Sequence, residues 1–422
     1  MHQIFKPLLL LGISAAAAAQ SGTYSNITQY PVPTANSAPT GIAAGADGAL
    51  WFTESSGNKI GRITTAGAIT EYPVPTANSG PNGITAGPDR ALWFTETNGN
   101  KIGRISVEGA IREFRIPTPK SSPVGITTGS DGALWFAESS SNKIGRMTAA
   151  GEFTEYDVPG FYFNAPYQIT PGPDGALWFT ENQTDGNSIG RIDTSGQMTV
   201  YGEPDVNAWP TGITAGPDGA LWTTDYADCN AGIGRVTTGA VFSYYGAGVA
   251  CPPIGITAGP DGALWFTGEN WGCYPDCAHS TLGRITTAGL VTLFPVSTLT
   301  TSSIDFSANG IVAGPDGKLW FAEANGNEIE SAPACALGLS ASFTGNTLTT
   351  NFVVGIDRSA IWSIRAGTTV LQNKPTPAVT PPSAITLNWE FPNEGAVVVE
   401  SALSTPEGTI LCSEWTTVKT GS

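Results

Sequence analysis

The chain has 422 residues, of which 19 are Lys or Arg and 35 are Asp or Glu, so its formal net charge is −16. Phosphate recognition depends on clustered basic side chains, and this balance therefore argues against nucleic acid as a partner. The length accommodates a large domain together with a smaller one.

The first 19 residues are predicted to be a signal peptide. Lys6 precedes an apolar run over residues 8–13, and consecutive alanines follow, which is the order of a positive start, an apolar core and a cleavage region. The apolar run is too short to span a bilayer, and no later segment reaches the roughly 18 apolar residues that a spanning helix needs. We therefore expect an exported protein, secreted or located in the periplasm or cell envelope, without a membrane span.

Between residues 23 and 331 the chain repeats one phrase seven times. The phrase reads approximately GITAGPDGALWFTE, then a polar loop, then KIGRIT and ITEYPVP. Its tryptophans are 42 to 44 residues apart, with a longer last step: Trp51, Trp93, Trp135, Trp178, Trp222, Trp265 and Trp320. A repeat of this length with several short strands is typical of a β-propeller blade. The sequence thus predicts an all-β protein whose main domain is a seven-bladed β-propeller.

The first repeat shows how one blade is built. Residues 41–44 are small and suit an innermost strand, and the Asp47-Gly48 pair that follows is a strong hairpin signal. Residues 50–54, 59–64 and 69–74 are then predicted to be the second, third and outer strands. Prolines occur in the outer strand, where a sheet edge tolerates them.

The hairpin between strands two and three predicts specific cross-strand pairs. If Glu54 lies opposite Lys59, then Trp51 lies opposite Arg62, and the guanidinium can stack on the indole. The same pairs recur in the next two blades. Because a catalytic residue usually breaks the symmetry of a repeat, we interpret these pairs as structural.

The two ends of the repeat region predict how the ring closes. Residues 26–33 carry an outer-strand motif, NITQYPVP, ahead of the first complete repeat. The seventh repeat ends at residues 327–331 without an outer strand of its own. The N-terminal strand is therefore expected to complete the last blade, which closes the ring and removes a free edge.

Residues 335–422 do not repeat. They alternate strand-like segments with turns rich in Pro, Gly, Asn and Ser, which predicts a small immunoglobulin-like β-sandwich with a role in attachment or spacing. The chain thus divides into a signal peptide (1–19), a seven-bladed β-propeller (23–331) and a C-terminal β-sandwich domain (335–422).

The six cysteines predict disulfides, because their number is even and the chain is expected to be exported. The sequence does not determine the pairing. We favour the pairs Cys229–Cys251, Cys273–Cys277 and Cys335–Cys412. A zinc site that includes His279 is the alternative for the second of these pairs.

Departures from the repeat concentrate on one face of the predicted propeller. The loop after strand two and the connection to the next blade emerge on the same side, which we call the upper face, and loops often carry function. Blades four to six add aromatic and acidic residues there. Aromatic rings beside carboxylates stack sugars or flat ligands, although they also pack against one another. The candidate ligand-binding residues are Tyr162, Tyr167, Trp209, Asp225, Tyr226, Trp271 and Tyr274.

The upper face also carries candidate residues for two other kinds of site, a cation site and a general base. Carboxylates at several strand ends offer the oxygen ligands that Ca²⁺ or Mg²⁺ prefers, although no EF-hand pattern is present. His279 is the sole histidine after removal of the signal peptide. It is either a general base beside Glu269 or a surface residue of a disulfide-linked loop.

The phrases GITAGPDGALWFTE, NKIGRIT and ITEYPVPT resemble those of the streptogramin lyases, the virginiamycin B lyase family, over residues 23–331. The resemblance implies a monomeric seven-bladed propeller that opens cyclic streptogramin B antibiotics by elimination. In that reaction a base removes the proton α to the ester carbonyl, an acid assists the leaving oxygen, and Mg²⁺ polarises the carbonyl.

The catalytic residues that the resemblance implies are missing from this chain. The family places histidines directly before the Gly-Ile or Ala-Ile of two late blades, and a glutamate two residues ahead of one of them. The glutamate positions of the late blades hold Pro252 and Ser307. The seven residues at the histidine position are Thr40, Asn82, Val124, Tyr167, Thr211, Ile254 and Asn309.

Three functions follow from these observations. The first is lyase or related activity on an external ester or glycan, with His279 and Glu269 in place of the missing catalytic residues. The second is non-enzymatic binding of a small molecule, peptide or glycan by the aromatic residues of blades four to six, with the C-terminal domain presenting the propeller. The third is a surface or envelope protein whose propeller packs only against its neighbours.

Overall fold

The computed structural model describes residues 27–159, 165–182, 187–202, 209–225, 232–246, 252–268, 280–289, 291–296 and 310–334, together with the backbone of the strands between residues 340 and 419. Every regular element among these residues is a β-strand. No helix of the described chain is long and apolar enough to cross a bilayer. The predicted signal peptide lies outside the described residues.

The propeller strands follow one another in a regular order, with four strands per complete blade. The first strand is β1 (Thr28–Pro31). The strands of blades one to three are β2 (Pro39–Ala44), β3 (Leu50–Glu54), β4 (Lys59–Ile63), β5 (Ile69–Pro73), β6 (Pro81–Ala86), β7 (Leu92–Glu96), β8 (Lys101–Ile105), β9 (Ile111–Arg115), β10 (Pro123–Thr128), β11 (Leu134–Glu138), β12 (Lys143–Met147) and β13 (Phe153–Asp157). The strands of blades four to six are β14 (Pro166–Pro171), β15 (Leu177–Glu181), β16 (Ser188–Ile192), β17 (Met198–Gly202), β18 (Pro210–Ala215), β19 (Leu221–Asp225), β20 (Ile233–Val236), β21 (Phe242–Tyr245), β22 (Pro253–Ala258), β23 (Leu264–Gly268), β24 (Ser280–Ile285) and β25 (Val291–Val296). Blade seven contains β26 (Ile311–Ala313), β27 (Lys318–Glu323) and β28 (Glu328–Pro333).

These strands form seven four-stranded sheets, so the predicted seven-bladed propeller is confirmed. In blades one to six the order of strands within the sheet follows the sequence, from the innermost strand outward. The innermost strands contact one another in a closed ring: β2, β6, β10, β14, β18, β22, β26 and again β2. They surround the central channel of the propeller.

The ring closes through the N-terminal strand, as the sequence predicts. Blade seven has the order β1-β28-β27-β26, and β1 runs antiparallel to β28 from the Thr28–Ser331 pair to the Pro31–Glu328 pair. The amide of Asn327 donates hydrogen bonds to the carbonyls of Val32 and Thr34, at 3.1 and 2.9 Å. The two ends of the propeller are therefore held by a full strand pairing and by side-chain contacts.

A buried tryptophan organises each blade. In blade one, Trp51 lies opposite Arg62 and Glu54 opposite Lys59, which confirms the predicted register. The Arg62 guanidinium lies 5.8 Å from the centre of the indole ring. Its Nε also forms an ion pair of 2.7 Å with Asp47, whose other carboxylate oxygen accepts a hydrogen bond of 3.1 Å from the indole N–H. The turn aspartate therefore links the tryptophan to the arginine.

Tight packing around the channel explains the glycine near the start of the innermost strands. A Cβ on Gly41 would come within 2.5 Å of the carbonyl oxygen of Asn82 in blade two. The corresponding distance from Gly83 to the Val124 carbonyl is 2.4 Å. A side chain at this position would force neighbouring blades apart, since real Cβ atoms do not approach an oxygen this closely.

The C-terminal region contributes two further sheets. In chain order, the first five strands of this region are β29 (Ser340–Thr344), β30 (Thr347–Val354), β31 (Ile361–Ala366), β32 (Thr369–Pro375) and β33 (Ser383–Glu390). One sheet has the order β29-β30-β33. The other sheet has the order β32-β31-β34-β35, with β34 (Ala396–Ser404) and β35 (Ile410–Lys419). Whether the two sheets pack as an immunoglobulin-like sandwich stays a prediction.

Candidate functional site

The upper ends of the innermost strands enclose a cavity of about 150 Å³ in the central channel. We call this site the channel mouth and define it by six side chains of the cavity lining: Thr40, Asn82, Tyr167, Gln168, Thr211 and Ile254. Isoleucines and glycines of the same strands complete the described lining. Five of the six stand at the position where the family resemblance places histidine, so that position faces the channel.

Hydroxyl groups from strand two hold the backbone of the channel mouth in place. In blade one, Thr53 Oγ1 accepts a hydrogen bond from the backbone N–H of Gly41, at 2.9 Å. It donates to the carbonyl oxygen of Asn82 in blade two, at 2.6 Å. Threonines of blades two, four and five make the same donation to the next blade. Such contacts preorganise a binding site because they hold its backbone on rigid strands.

Blade four breaks this pattern at Gln168. The other six blades have glycine at this position. In blades one, two, three, five and seven a Cβ there would meet the backbone of the neighbouring blade. The hydrogen bond from the blade-four threonine, Thr180, to the Thr211 carbonyl is 3.1 Å long, compared with 2.6 Å for the Thr53–Asn82 and Thr224–Ile254 contacts. The contact between blades four and five is therefore looser where the glutamine stands, and Gln168 lines the cavity.

Tyr167 is the other large polar side chain of the channel mouth. It is half-buried, and the protein that surrounds its ring raises the pKa of the phenol above its ordinary value of 10.0. The phenol therefore stays protonated at neutral pH and offers one donor and one acceptor. With the amides of Asn82 and Gln168 and the hydroxyls of Thr40 and Thr211, it gives a neutral, hydrogen-bonding lining.

A buried acid recurs at the upper end of strand two. Glu54, Glu96 and Glu138 are fully buried. Burial first, and then a glutamate of the outer strand, raise the pKa of each to about 7. A pKa in this range suits a general acid or base. Because the same arrangement recurs in three successive blades, we interpret these groups as structural.

Blade seven brings three acids together. Carboxylate oxygens of Glu323, Glu328 and Glu330 lie within 4.8 Å of one another, and we call these residues the blade-seven acidic cluster. Burial, followed by repulsion from Glu330 and Glu328, raises the pKa of Glu323 to about 8. Burial also raises the pKa of Glu328. Among the described residues, no other set of three His, Cys, Asp or Glu side chains is close enough to share a metal ion.

Three of the predicted site residues fall within the described chain. Tyr167 lines the channel mouth. Trp209 is half-buried and directly precedes Pro210, which pairs with Asp225. Asp225 is fully buried at the end of β19, where five of the other six blades carry a buried glutamate and blade six has Gly268. The remaining candidates lie outside the described residues, and their roles stay predictions: Tyr162, Tyr226, Glu269, Trp271, Tyr274 and His279.

Comparison with known proteins identifies the family. The model of the virginiamycin B lyase family matches residues 14–163 and 161–336. The chain belongs to this family. A curated virginiamycin B lyase from Bacillus licheniformis is 49% identical over 41 residues, which are 10% of this chain and 14% of that protein. This match therefore spans about one seventh of its relative's length.

Solved structures of the family share the propeller. A streptogramin B lyase structure is 37% identical, with a TM-score of 0.62, and the match covers 72% of this chain and 96% of that one. A catalytically inactive histidine-to-alanine variant of virginiamycin B lyase from Staphylococcus aureus, with quinupristin, is 35% identical, with a TM-score of 0.63 and coverage of 72% and 98%. A hydrazine synthase from Kuenenia stuttgartiensis is 16% identical, with a TM-score of 0.56, over 72% of this chain and 97% of its own, and shows the fold alone.

The channel mouth of this family member does not fit the Mg²⁺ that the resemblance implies. Hard divalent cations are usually held by carboxylates, and the described lining contains none. Pro252 stands at one of the glutamate positions and has no ligand atom in its side chain. We therefore derive no chemical step at the channel mouth through a metal ion.

Sequence reasoning missed Gln168, although the signal was present. The repeat phrase begins with Gly-Ile in six blades and with Gln-Ile in blade four. A comparison of the glycine positions, in addition to the histidine positions, would have found it. The acidic residues of blade seven were also missed, although residues 328–331 read Glu-Ile-Glu-Ser where blades one to three read Lys-Ile-Gly-Arg.

Proposed function

We propose that this protein is a ligand-binding propeller that holds a peptide-like small molecule at the channel mouth and does not carry out the lyase reaction of its family. One observation carries the proposal. The repeat position at which the family carries histidine in two late blades holds Thr, Asn, Val, Tyr, Thr and Ile in blades one to six of this chain, and five of these residues line a preformed cavity.

The chemistry of the lining supports binding and disfavours elimination. Elimination needs a base to remove a proton from carbon, and a catalytic base works best with a pKa near the working pH. The described lining has no carboxylate or imidazole, and the phenol of Tyr167 is held protonated. Hydroxyl, phenol and amide groups beside isoleucines instead match a ligand with peptide N–H and C=O groups and apolar side chains.

A solved relative supports the separation of binding from catalysis. The histidine-to-alanine variant of the Staphylococcus aureus enzyme is catalytically inactive, and its crystal structure is one with quinupristin. This chain resembles that variant in lacking histidine at the described positions. Quinupristin is therefore the first ligand to test.

Two further parts of the proposal concern the surroundings of the channel mouth. The signal peptide over residues 1–19 would export the protein, so that it meets its ligand outside the cell. The aromatic residues predicted on the upper face, Tyr162, Trp209, Tyr226, Trp271 and Tyr274, would extend the binding surface around the channel mouth. Aromatic side chains contribute large contact areas at low conformational cost.

The experiment measures binding and turnover on the same samples. Quinupristin is titrated into the mature protein by calorimetry, and the mixture is then analysed by mass spectrometry and chromatography, with and without Mg²⁺. We expect binding and intact cyclic quinupristin. Tyr167→Ala should weaken binding at least about tenfold, because the large aromatic side chain of the cavity lining and its phenol are lost. Arg90→Gly lies at an Asp-Gly-type turn, at the opposite end of the strands from the channel mouth, and should bind normally.

Gln168→Gly is the sharpest variant because it restores the sequence of the other six blades. We expect it to fold, to tighten the contact between blades four and five, and to lose affinity. Absence of quinupristin binding to the wild type would refute a peptide ligand of this kind. A linear product of unchanged mass would refute the non-catalytic proposal.

Lyase activity remains the second candidate because the family relationship covers 72% of the chain at 37% identity to a streptogramin B lyase. In that case His279 and Glu269 are the residues to substitute first. Unchanged turnover in the His279→Ala, Glu269→Gln double variant would exclude them as the replacement catalytic groups.

A further inference from the structure

Blade seven reverses the charge pattern that blades one to three have at the start of strand three. In blades one to three this strand begins Lys-Ile-Gly-Arg, as at residues 59–62. In blade seven the same positions read Glu-Ile-Glu-Ser, at residues 328–331. One basic residue and one glycine have therefore both become glutamate.

The strand register places these changes directly against a third acid. Glu323 pairs with Glu328 across the sheet, whereas Glu54 of blade one pairs with Lys59. In blade one, Lys59 forms an ion pair of 2.7 Å with Glu71. Like charges directly opposite each other destabilise a strand pair. Blade seven therefore has acidic groups in the place where blade one has a lysine ion pair.

The unsatisfied oxygens of the cluster are a second observation that points to a ligand. Glu323 is 3% exposed, and its Oε1 accepts no hydrogen bond from the described residues. Glu328 Oε2 is likewise buried without a hydrogen-bond donor within the described chain. Burying a carboxylate costs several kcal/mol unless a proton, a cation or hydrogen bonds compensate it. The cluster of acids therefore contains an almost fully buried carboxylate, Glu323, with an oxygen that accepts no hydrogen bond from the described residues.

We propose that Glu323, Glu328 and Glu330 bind one hard divalent cation of the calcium type in blade seven. The cation would supply the positive charge that a lysine supplies in blades one to three. Ligands on opposite sides of Ca²⁺ are about 4.6 to 5.2 Å apart, since its bonds to oxygen are about 2.3 to 2.6 Å long. The oxygens of the cluster lie within 4.8 Å of one another and can therefore share one such ion without rearrangement.

The site differs from the channel mouth and is linked to ring closure. None of its three side chains belongs to the described lining of the cavity. Glu330 accepts a hydrogen bond of 2.9 Å from Gln29 Nε2, and Gln29 belongs to β1, the strand that closes the ring. A cation on Glu330 would thus stabilise the seam between the first and last propeller strands. Because the unfolded chain lacks this arrangement, binding should stabilise the folded state.

Thermal unfolding and calorimetry test the proposal on the mature protein near pH 7.5. We expect Ca²⁺ at about a hundred times its Kd to raise Tm by roughly 5 °C relative to EDTA, with a stoichiometry of one. Mg²⁺ should stabilise less, because its shorter bonds need a tighter set of oxygens. No Ca²⁺-dependent change in Tm and no binding heat would overturn the proposal, and stronger stabilisation by Mg²⁺ would overturn the calcium-type assignment.

Glu328→Lys restores the charge found in blades one to three. This variant should lose the response to Ca²⁺ and should be more stable than the wild type in EDTA. Glu328→Gln is the alternative if the lysine variant does not fold, and it should also lose the response. Glu54 has in blade one the position that Glu323 has in blade seven, so the Glu54→Gln control should keep the Ca²⁺ response. A full Ca²⁺ response in either Glu328 variant would place the cation elsewhere and refute the site.

Discussion

The recurring buried acids make the stability of the propeller depend on pH, and Glu96 shows how. Its pKa rises from an ordinary value of 4.5 to about 7 because the group is buried and lies near Glu113. The unfolded chain does not raise the pKa, so folding takes up a proton between these two values. The protonated Glu96 carboxyl therefore makes its full contribution to the stability of the folded state below pH 4.5. This contribution is lost as the pH rises through 7.

Glu96→Gln measures this effect because the amide has nearly the same shape and cannot ionise. A pKa difference between 4.5 and about 7 corresponds to about 3 kcal/mol, and we expect about 2 kcal/mol after solvent screening. At pH 8 the variant should be more stable than the wild type by this amount, which raises Tm by roughly 4 °C. At pH 5 the two proteins should unfold at nearly the same temperature.

The assay is thermal unfolding by circular dichroism at pH 5 and pH 8, with Glu152→Gln as the control. Glu152 is exposed, and its substitution should change stability little at either pH. The reasoning is refuted if Glu96→Gln shifts Tm equally at both pH values, or if it destabilises the protein at pH 8. Either result would mean that the carboxylate is charged and well compensated in the folded protein.

Three further predictions concern the scaffold. Arg90 has a φ of 65° where the other six turns have glycine, so Arg90→Gly should raise stability by about 1 kcal/mol, and a lower Tm would contradict this. Asp131→Asn removes the ion pair with Arg146 and should cost about 1–2 kcal/mol in urea unfolding, whereas Asp157→Asn, at an exposed ion pair, should cost almost nothing. Deletion of residues 27–33 removes β1 and exposes the outer edge of β28, which then pairs only with β27, so we expect a lower Tm and self-association on size exclusion; a monomer of unchanged Tm would show that ring closure does not depend on β1.

The strands and their register could be predicted because the information is local and repeated seven times. The Asp-Gly turn determines the register between strands one and two of a blade. The Glu54–Lys59 pair determines the register between strands two and three. The closing strand was predictable for a related reason, since an unpaired outer-strand motif and a blade without an outer strand complement each other.

The contacts between blades could not be predicted in the same way. The hydrogen bond from Thr53 to the Asn82 carbonyl joins residues 29 positions apart, and its existence depends on how closely the innermost strands approach. The ion pair between Arg62 and Asp47 also escaped prediction, because a turn aspartate is usually explained by its own backbone. The Thr53–Asn82 hydrogen bond and the Arg62–Asp47 ion pair both depend on distances in the folded protein, which the pattern of apolar and polar residues in the sequence does not contain.

The repeated scaffold explains how single blades can acquire separate roles. The contact between tryptophan and turn aspartate recurs in all seven blades, and the arginine that joins it recurs in six. Blade seven, which has Ser331 in place of the arginine, keeps its sheet. Because the stabilising contacts are distributed around the ring, one blade can lose a contact without loss of the fold. Gln168 in blade four and the acidic cluster in blade seven each replace a residue that serves packing or charge balance in the other blades. Such replacements are the positions where function should be sought first in a propeller of this kind.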